Sequence, residues 1–299
     1  MGLIINGVEI EDTFAEAFKM WGTRVIITAK NRKWALQAAV TMTGFATSVI
    51  GCKCEAGIES ELADTPDGRP GVSVLLFTPS RDDLSKRLIE RIGQCVMTCP
   101  TTACFNGLKS NEQLKIGGQL RYFGDGYQGS KLIGGRRFWR IPVMEGEFLI
   151  EDKFGIQSSV GGGNFLILGN DLDATLEASE RAVEAMKKVS GAIMPFPGGI
   201  VRSGSKVKSR YKFLIASTND AYCPTLRGAV DSALAEGENS VLEIVIDGLD
   251  EESVVKSTRA GIRAACIPGI RRITAGNYGG NLGQFKIHLH QALREGPAL

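Results

Sequence analysis

The stretch RVIITAKNRKWALQAAVTMTG, residues 24 to 44, sets the reading of the fold. Arg24 to Ala29 is rich in β-branched side chains, which are stiff and pack well on a pleated surface, so it reads as a strand. Asn31 stands where a helix needs an N-cap, and Ala35, Ala38, Ala39 and Met42 follow on one face at the helical period. Gly44 ends the helix in the position that glycine favours. Working outward, Thr47 to Gly51 reads as a second strand, and a polar loop leads to the dense turn signal TPDGRPG at 65 to 71. Val72 to Phe77 reads as a third strand. Ser80 with Asp83 forms a capping box ahead of the apolar stripe Leu84, Leu88 and Ile92, and Cys95 to Cys99 reads as a fourth extended segment. The order is β-α-β-β-α-β.

The same order returns further along. Asn164 to Leu168 reads as a strand, and Asp173 caps a helix with Leu176, Val183 and Met186 facing inward, stopped by Gly191. Ile193 to Phe196 and Val241 to Ile246 read as strands, Asp250 opens a helix carrying Val254, Thr258, Ile262 and Ala265, and Ile270 to Ala275 closes the unit. The fold class expected is therefore α+β, with duplicated ferredoxin-like βαββαβ units. Residues 1-104 make the first lobe. Residues 105-160, with short hairpins around YFGDGY and GGRRFWR, make a β-rich segment that connects the lobes or forms an oligomer contact. Residues 161-299 make the second lobe, lengthened by an insertion at 197-240. Insertions longer than a connection requires are disproportionately functional.

Composition narrows the function classes. A hydrophobic share of 43% and a charged share of 23% suit an ordinary globular chain, and no apolar run is long enough to span a bilayer. The opening MGLIINGVEIEDTF has no basic region and acquires acids at once, so no signal peptide is expected. Seven cysteines, an odd number, argue for reduced thiols, and neither Cys52-x-Cys54 nor Cys95, Cys99 and Cys104 has the paired spacing of a metal site. The expectation is no metal. His288 and His290 are the only histidines and lie in a strand-like run where they would share a face, which argues against histidine-centred acid-base chemistry. A net charge of +2 is too near neutral to favour nucleic acid. It does not prevent local focusing, however. Arg202, Lys206, Lys208, Arg210 and Lys212 form a basic arm without an acid among them.

Among the acids, Glu243 stands out because it interrupts the apolar run Val241 to Ile246. If the strand is interior, burial raises its pKa toward that of a general acid or base; if it is an edge strand, Glu243 faces water. Glu145, Glu147 and Glu151 alternate regularly and read as a solvated face. The glycine run Gly161-Gly162-Gly163-Asn164 precedes a strand, so it lacks the context of a nucleotide-binding loop. It and the loop Gly276 to Gly283 permit close backbone approach, with N–H groups available to a developing oxyanion. Without a nucleotide, metal or thiol motif, the pattern points to an enzyme that brings two substrates together without a prosthetic group.

Several motifs resemble one family across nearly the whole chain. They are INGVEIEDTFAEAF at 5 to 18, TPDGRPG at 65 to 71, ERIGQCVMT at 90 to 98 and YFGDGYQ at 122 to 128. PFPGGIV at 195 to 201, ASTNDAYCP at 216 to 224, Glu243 to Ile246 with Gly248-Leu249, and the glycine pattern at 275 to 283 complete the set. The family is the formylmethanofuran:tetrahydromethanopterin formyltransferases. The resemblance implies reversible transfer of a formyl group from methanofuran to N5 of tetrahydromethanopterin, with no cofactor beyond these coenzyme substrates. It places the reaction in one-carbon metabolism, in carbon dioxide reduction and methanogenesis or its reversal, or in formaldehyde oxidation. It further implies a cytoplasmic homotetramer, a dimer of dimers of ferredoxin-like lobes, with substrates in a cleft at a subunit interface and Glu243 as the catalytic carboxylate. Substrate contacts are expected at Arg202, Ser205, Lys206, Ser217, Asn219, Asp220, Tyr222, Gly162, Asn164 and Gln94. The cations of the arm suit the carboxylates and phosphate of the two coenzymes, and Asn219 and Tyr222 suit the oxyanion. A different reading of the same resemblance is a non-catalytic subunit that holds formylmethanofuran within a formyltransferase/hydrolase complex. A ligand-sensing ferredoxin-like module is disfavoured by the long insertions.

Overall fold

The computed structural model describes residues 2–294. Its elements begin with β1 (Leu3–Ile5), β2 (Val8–Ile10), β3 (Phe14–Thr28), α1 (Arg32–Thr43), α2 (Val49–Cys52), β4 (Glu55–Leu62), β5 (Gly71–Thr78) and α3 (Arg81–Arg91). Next come β6 (Ala103–Asn106), β7 (Gln113–Leu114), α4 (Gly117–Leu120), β8 (Gly129–Ile133), β9 (Arg136–Val143), β10 (Gly146–Glu151) and β11 (Phe154–Gly155). The chain continues with β12 (Gln157–Gly169), α5 (Leu172–Met186), β13 (Ala192–Ile193), β14 (Lys206–Val207), β15 (Ala216–Ser217) and β16 (Ser240–Gly248). It closes with α6 (Glu251–Ala265), β17 (Ile270–Thr274), β18 (Phe285–His288) and α7 (Leu289–Arg294). The class is mixed α+β.

Met20–Ser159 form one compact unit; the described residues up to Lys19 and from Val160 onward form another. In the first, the antiparallel order is β4-β5-β3-β6, with Val25 to Thr28 of β3 paired to both β5 and β6. Asn31 caps α1 by accepting from the Trp34 N–H, and Ala35, Ala38, Ala39 and Met42 are all buried. They meet Val25, Ile27, Val74, Leu76 and the α3 stripe of Leu84, Leu88 and Ile92 in one core. Ser80 caps α3 through the Asp83 N–H. β10 joins β6 in parallel and pairs with β9, which pairs with β8, so residues 105–159 extend this unit. The two-residue turn Gly134-Gly135 has φ of 56° and 75°, the left-handed geometry that a tight hairpin requires.

The other unit repeats the arrangement. Its antiparallel order is β13-β16-β12-β17, with α5 packed on α6. Asp250 caps α6 through the Ser253 N–H, and Val254, Ile262 and Ala265 join Phe165, Ile167, Ile244, Ile246, Val183 and Met186 in the core. Phe165 is fully buried, which contributes about 1.5–3 kcal/mol. The N-terminal residues belong here because β2 pairs in parallel with β17, and the start of β3 pairs with β18.

Several sequence expectations change. Thr47 to Gly51 is not a strand: Ser48 accepts from the Ile50 N–H and starts the short helix α2, and the strand lies later, at β4. β4 carries Glu55, Glu59 and Glu61 and is only partly buried, so its composition reads as loop. Cys95 to Cys99 is not extended either. A π-helical turn at Ile92–Val96 prolongs α3, and the strand is β6. Gly44 ends α1 with an extended ψ of 145°, and Phe45, at φ 48°, takes the left-handed position instead. Asp171 rather than Asp173 caps α5, and Leu176 is 40% exposed, one position off the buried stripe of Thr175, Ser179 and Ala182. The strand expected at Ile193 to Phe196 shortens to β13, because Pro195 and Pro197 cannot donate to a ladder. The expected cut at 104 falls inside the Met20–Ser159 unit.

Candidate functional site

β16 pairs with β12 on one side; on the other, β13 covers only Asp247 and Gly248, and at Glu243 itself Val201 takes that place, so Glu243 is flanked on both sides and its neighbours Leu242, Ile244 and Val245 are buried. Alternation sends Ile244 and Ile246 toward the core beneath α5 and α6, and Glu243 to the opposite face. There it stands level with Leu166 of β12, and its backbone exchanges two hydrogen bonds with Val201, at 2.9 and 2.7 Å. Glu243 is 4% exposed. Its Oε1 accepts from the Ser205 hydroxyl at 2.6 Å, while Oε2 is buried with no hydrogen-bond partner. Burial pushes its pKa above the ordinary carboxyl value, and the Ser205 hydroxyl only partly offsets that. A pocket of about 30 Å³, room for about one water, is lined there by Glu243, Arg202, Gly204, Asn219, Tyr222 and Cys223.

The basic arm is a hairpin. β14 pairs with β15 through Lys206–Ser217 and Val207–Ala216. Lys206 Nζ sits 2.6 Å from Asp220 Oδ1, and that ammonium holds the Asp220 pKa below its usual range. Lys206 is thus already paired, whereas Arg202, Lys208, Arg210 and Lys212 are exposed. Ser217 Oγ donates to the Lys208 carbonyl at 2.7 Å, holding a hairpin residue whose φ is 80°. The Asn219 carbonyl accepts from the Tyr222 N–H at 3.0 Å, forming the tight turn of the ASTNDAYCP motif. Tyr222 is pushed above its usual pKa by burial and by the Glu11 charge, with a hydrogen bond to Thr274 opposing.

A second buried carboxylate organises the glycine loop. Glu16, on β3, is 1% exposed and accepts from the N–H groups of Tyr278 at 2.9 Å, Leu282 at 3.1 Å, Gly283 at 2.8 Å, and Gly280. Burial alone would raise its pKa; the donors from Gly283, Tyr278, Leu282 and Gly280 together outweigh it and hold the group below the ordinary value. These four N–H groups therefore serve Glu16, not an oxyanion. Tyr278 reaches back to the hairpin, its hydroxyl donating to the Ser205 carbonyl at 3.0 Å. Asn164 fixes the start of the same loop, accepting from the Gly276 N–H at 2.6 Å and donating to the Gly276 carbonyl at 3.2 Å. Gly162, at φ 78°, donates its N–H to Asp247 Oδ1 at 2.9 Å.

The fold gathers Glu243, Arg202, Asn219 and Tyr222 around one pocket and places Ser205 on the carboxylate. Lys206 and Asp220 pair at the hairpin base, while Asn164 and Gly162 hold backbone. Gln94 belongs to the other unit, on the π-helical turn, where it lines an apolar groove of about 920 Å³ with Met97, Phe123, Pro142 and Met144. Sequence reasoning missed Glu16, Tyr278, Gly204 and Cys223. Glu16 carried the same signal as Glu243, an acid inside an apolar strand. Glu151 is not solvated as expected but buried and paired with Arg136. The histidines do not share a strand: His288 ends β18 against Phe14, and His290 sits in α7 with Nε2 2.8 Å from the Ile10 carbonyl. Among the described residues no three of His, Cys, Asp or Glu are grouped to hold a metal, and no helix is long and apolar enough to cross a membrane.

Comparison with known proteins bears on this site. A family model described as formylmethanofuran-tetrahydromethanopterin formyltransferase matches residues 3–143, and a second, described as its proximal lobe, matches 146–292. The chain is 60% identical to a formylmethanofuran–tetrahydromethanopterin formyltransferase of Methylococcus capsulatus, over 97% of this chain and 100% of that one. Solved structures are similar too, two of them closely. One is the formyltransferase/hydrolase complex of Methylorubrum extorquens with methylofuran, at TM-score 0.95 and 53% identity, covering 98% of this chain and 99% of that chain. The other is the formyltransferase of Methanosarcina barkeri, at TM-score 0.93 and 49% identity, covering 97% and 100%.

Proposed function

Since the chain belongs to the formylmethanofuran-tetrahydromethanopterin formyltransferase family, we propose that it moves a formyl group reversibly between formylmethanofuran and N5 of tetrahydromethanopterin. The reaction proceeds in a ternary complex without a prosthetic group, as part of one-carbon metabolism. One observation carries this reading: Glu243 is a buried carboxylate of raised pKa with one oxygen held and the other without a partner.

The chemistry asks for such a group. N5 attacks the formyl carbon, a C–N bond forms, the carbonyl becomes an oxyanion, and the proton on N5 passes to Glu243. The carbonyl reforms as the bond to the methanofuran nitrogen breaks, and that nitrogen takes the proton from Glu243. The carboxylate is regenerated, so one group of raised pKa serves as base and then as acid. Most of the remaining acceleration comes from holding both amines at one carbon. Asn219 and Tyr222 line the pocket with Glu243 and stabilise the oxyanion. Arg202 and Lys206, with the exposed cations of the hairpin, meet the acidic parts of the coenzymes. Ser205, Ser217 and Asp220 shape the hairpin beside them, Gly162 and Asn164 set the backbone beneath, and Gln94 contacts substrate from the apolar groove.

The strand orders support reading the two units as duplicated ferredoxin-like lobes, each running fourth, first, third, second, with the β-rich segment 105-160 joined to one of them. We also infer a cytoplasmic homotetramer, a dimer of dimers. Exposed Phe123 and Met144 beside the groove support an oligomer contact in that segment.

The deciding experiment is formyl transfer by the purified chain alone, read by coupling the N5-formyl product to a cyclohydrolase. Transfer establishes a self-sufficient enzyme. Folded protein without transfer favours the second reading, a subunit that holds formylmethanofuran for a hydrolase, to which the solved complex from Methylorubrum extorquens lends weight.

A further inference from the structure

The Glu243 carboxylate has two chemically equivalent oxygens, and the site treats them differently. Oε1 accepts from Ser205 Oγ at 2.6 Å; Oε2, equally buried, has no hydrogen-bond partner. Ser205 is not loosely placed. Its carbonyl accepts from Tyr278 Oη at 3.0 Å, and the next residue, Lys206, is tied to Asp220 at 2.6 Å. Tyr278 is in turn positioned by Glu16, which accepts from its N–H at 2.9 Å. Two loops distant in sequence thus converge on one serine, and that serine touches the carboxylate.

We propose that Ser205 is a positioning residue for formyl transfer, whose hydroxyl occupies Glu243 Oε1 so that Oε2 alone exchanges the substrate proton. This rests on Glu243 being the proton shuttle. Ser205 carries no proton through the reaction: its O–H bond stays intact while the proton moves between N5, Oε2 and the departing nitrogen. Its work is done through Glu243 in two ways. It stops the carboxylate from rotating and presenting Oε1, and it favours the ionised form by donating to it. The other titratable groups facing Glu243 are Arg202, Tyr222 and Cys223 around the pocket and Tyr278 behind Ser205. Of these, Arg202 is the cation, and it is exposed, so the buried carboxylate depends on Ser205 for a direct donor.

The sign of the pH effect follows. Removing a donor to the ionised form raises the Glu243 pKa further, so less of the base is ready at a given pH. Ser205→Ala should lower kcat/KM about tenfold near neutrality, as loss of a hydrogen bond to a charged group does, and should move the acidic limb of the pH–rate profile upward. Ser205→Thr, which keeps the hydroxyl, should restore both. A merely structural role would lower the rate at every pH without moving the limb, and that result overturns the proposal. So would a Ser205→Ala profile superimposable on the unaltered protein. Melting temperatures of both variants, measured alongside, ensure that folded protein is compared. Glu243→Gln separates the two layers of the argument: if it turns over normally, the shuttle assignment fails; if it is inactive while Ser205→Ala is normal, only Ser205 fails.

Discussion

Replacing Glu16 by Gln should loosen the loop that closes over the hairpin, and the size of the effect can be worked from its bonds. The carboxylate accepts from four backbone N–H groups, of Tyr278, Gly280, Leu282 and Gly283. A glutamine offers one oxygen and turns an NH2 group toward donors, so about half of those N–H groups lose their acceptor. An orphaned donor costs about 1–3 kcal/mol when buried. Tyr278 is half-buried but Leu282 is exposed and water can replace part of the loss, so about 2 kcal/mol in total is expected. Thermal unfolding should fall by several degrees. Amide exchange at Tyr278 to Gly283 should accelerate well beyond that at β16, and formyl transfer should slow because Tyr278 no longer holds Ser205. The pH dependence has a definite sign. The Glu16 pKa is lowered in the folded protein, so its contribution is fully present above the unfolded value, about 4.3, and is lost as pH falls through the folded value. The variant should lack that acid-dependent part of the stability curve. Unchanged melting and unchanged exchange in the loop would refute the reasoning.

Three further outcomes are expected. Glu243→Gln should fold and bind both coenzymes yet transfer formyl groups at least about a hundredfold more slowly, measured by single-turnover kinetics. Lys206→Ala should raise substrate KM more than it lowers kcat, with little change in melting temperature because its pairing with Asp220 is partly exposed; an effect confined to kcat would place Lys206 at the reacting carbonyl instead. Gly204→Ala should slow transfer and cost more stability than the about 1–2 kcal/mol of left-handed strain alone, because Gly204 has φ 72° and an added Cβ would lie 2.7 Å from Asn219 Cβ and 2.9 Å from its backbone nitrogen, displacing the pocket wall; normal kinetics would show that this wall is not shaped for the reaction.

Much of the fold was legible because its helices carry local signals. Asn31, Ser80 and Asp250 cap the helices they precede, and the stripes behind them are buried. Strands whose burial is one-sided were harder. β4 pairs along β5 but keeps three glutamates, so nothing in its composition separates it from a loop, and the apolar residues at Thr47 to Gly51 carry the stronger strand signal. At Cys95 to Cys99 a small apolar run fits a strand or the end of a helix, and only packing behind α3 decides between them. The motifs identified the family without settling which contact each residue makes. In the sequence Lys206 stands among cations without an acid, because Asp220 lies beyond a hairpin that the sequence does not announce, with β14 and β15 only two residues each.

The two buried glutamates explain why the site in particular resisted sequence reading. Glu16 and Glu243 present one pattern, an acid flanked by apolar residues in a strand, and burial pushes both pKa values upward. What differs is the number of donors. Four backbone N–H groups favour the ionised form of Glu16, which anchors a loop, whereas a single hydroxyl leaves Glu243 able to take up and release a proton. Those donors come from residues more than two hundred positions from Glu16, and from within the long insertion for Glu243. No local window contains them. The structural anion and the chemical one are also coupled, since Glu16 holds Tyr278, Tyr278 holds Ser205, and Ser205 holds Glu243. The reactive carboxylate is thus kept in place by an unreactive one, and a charge lost at Glu16 should be felt as a slower proton transfer at Glu243.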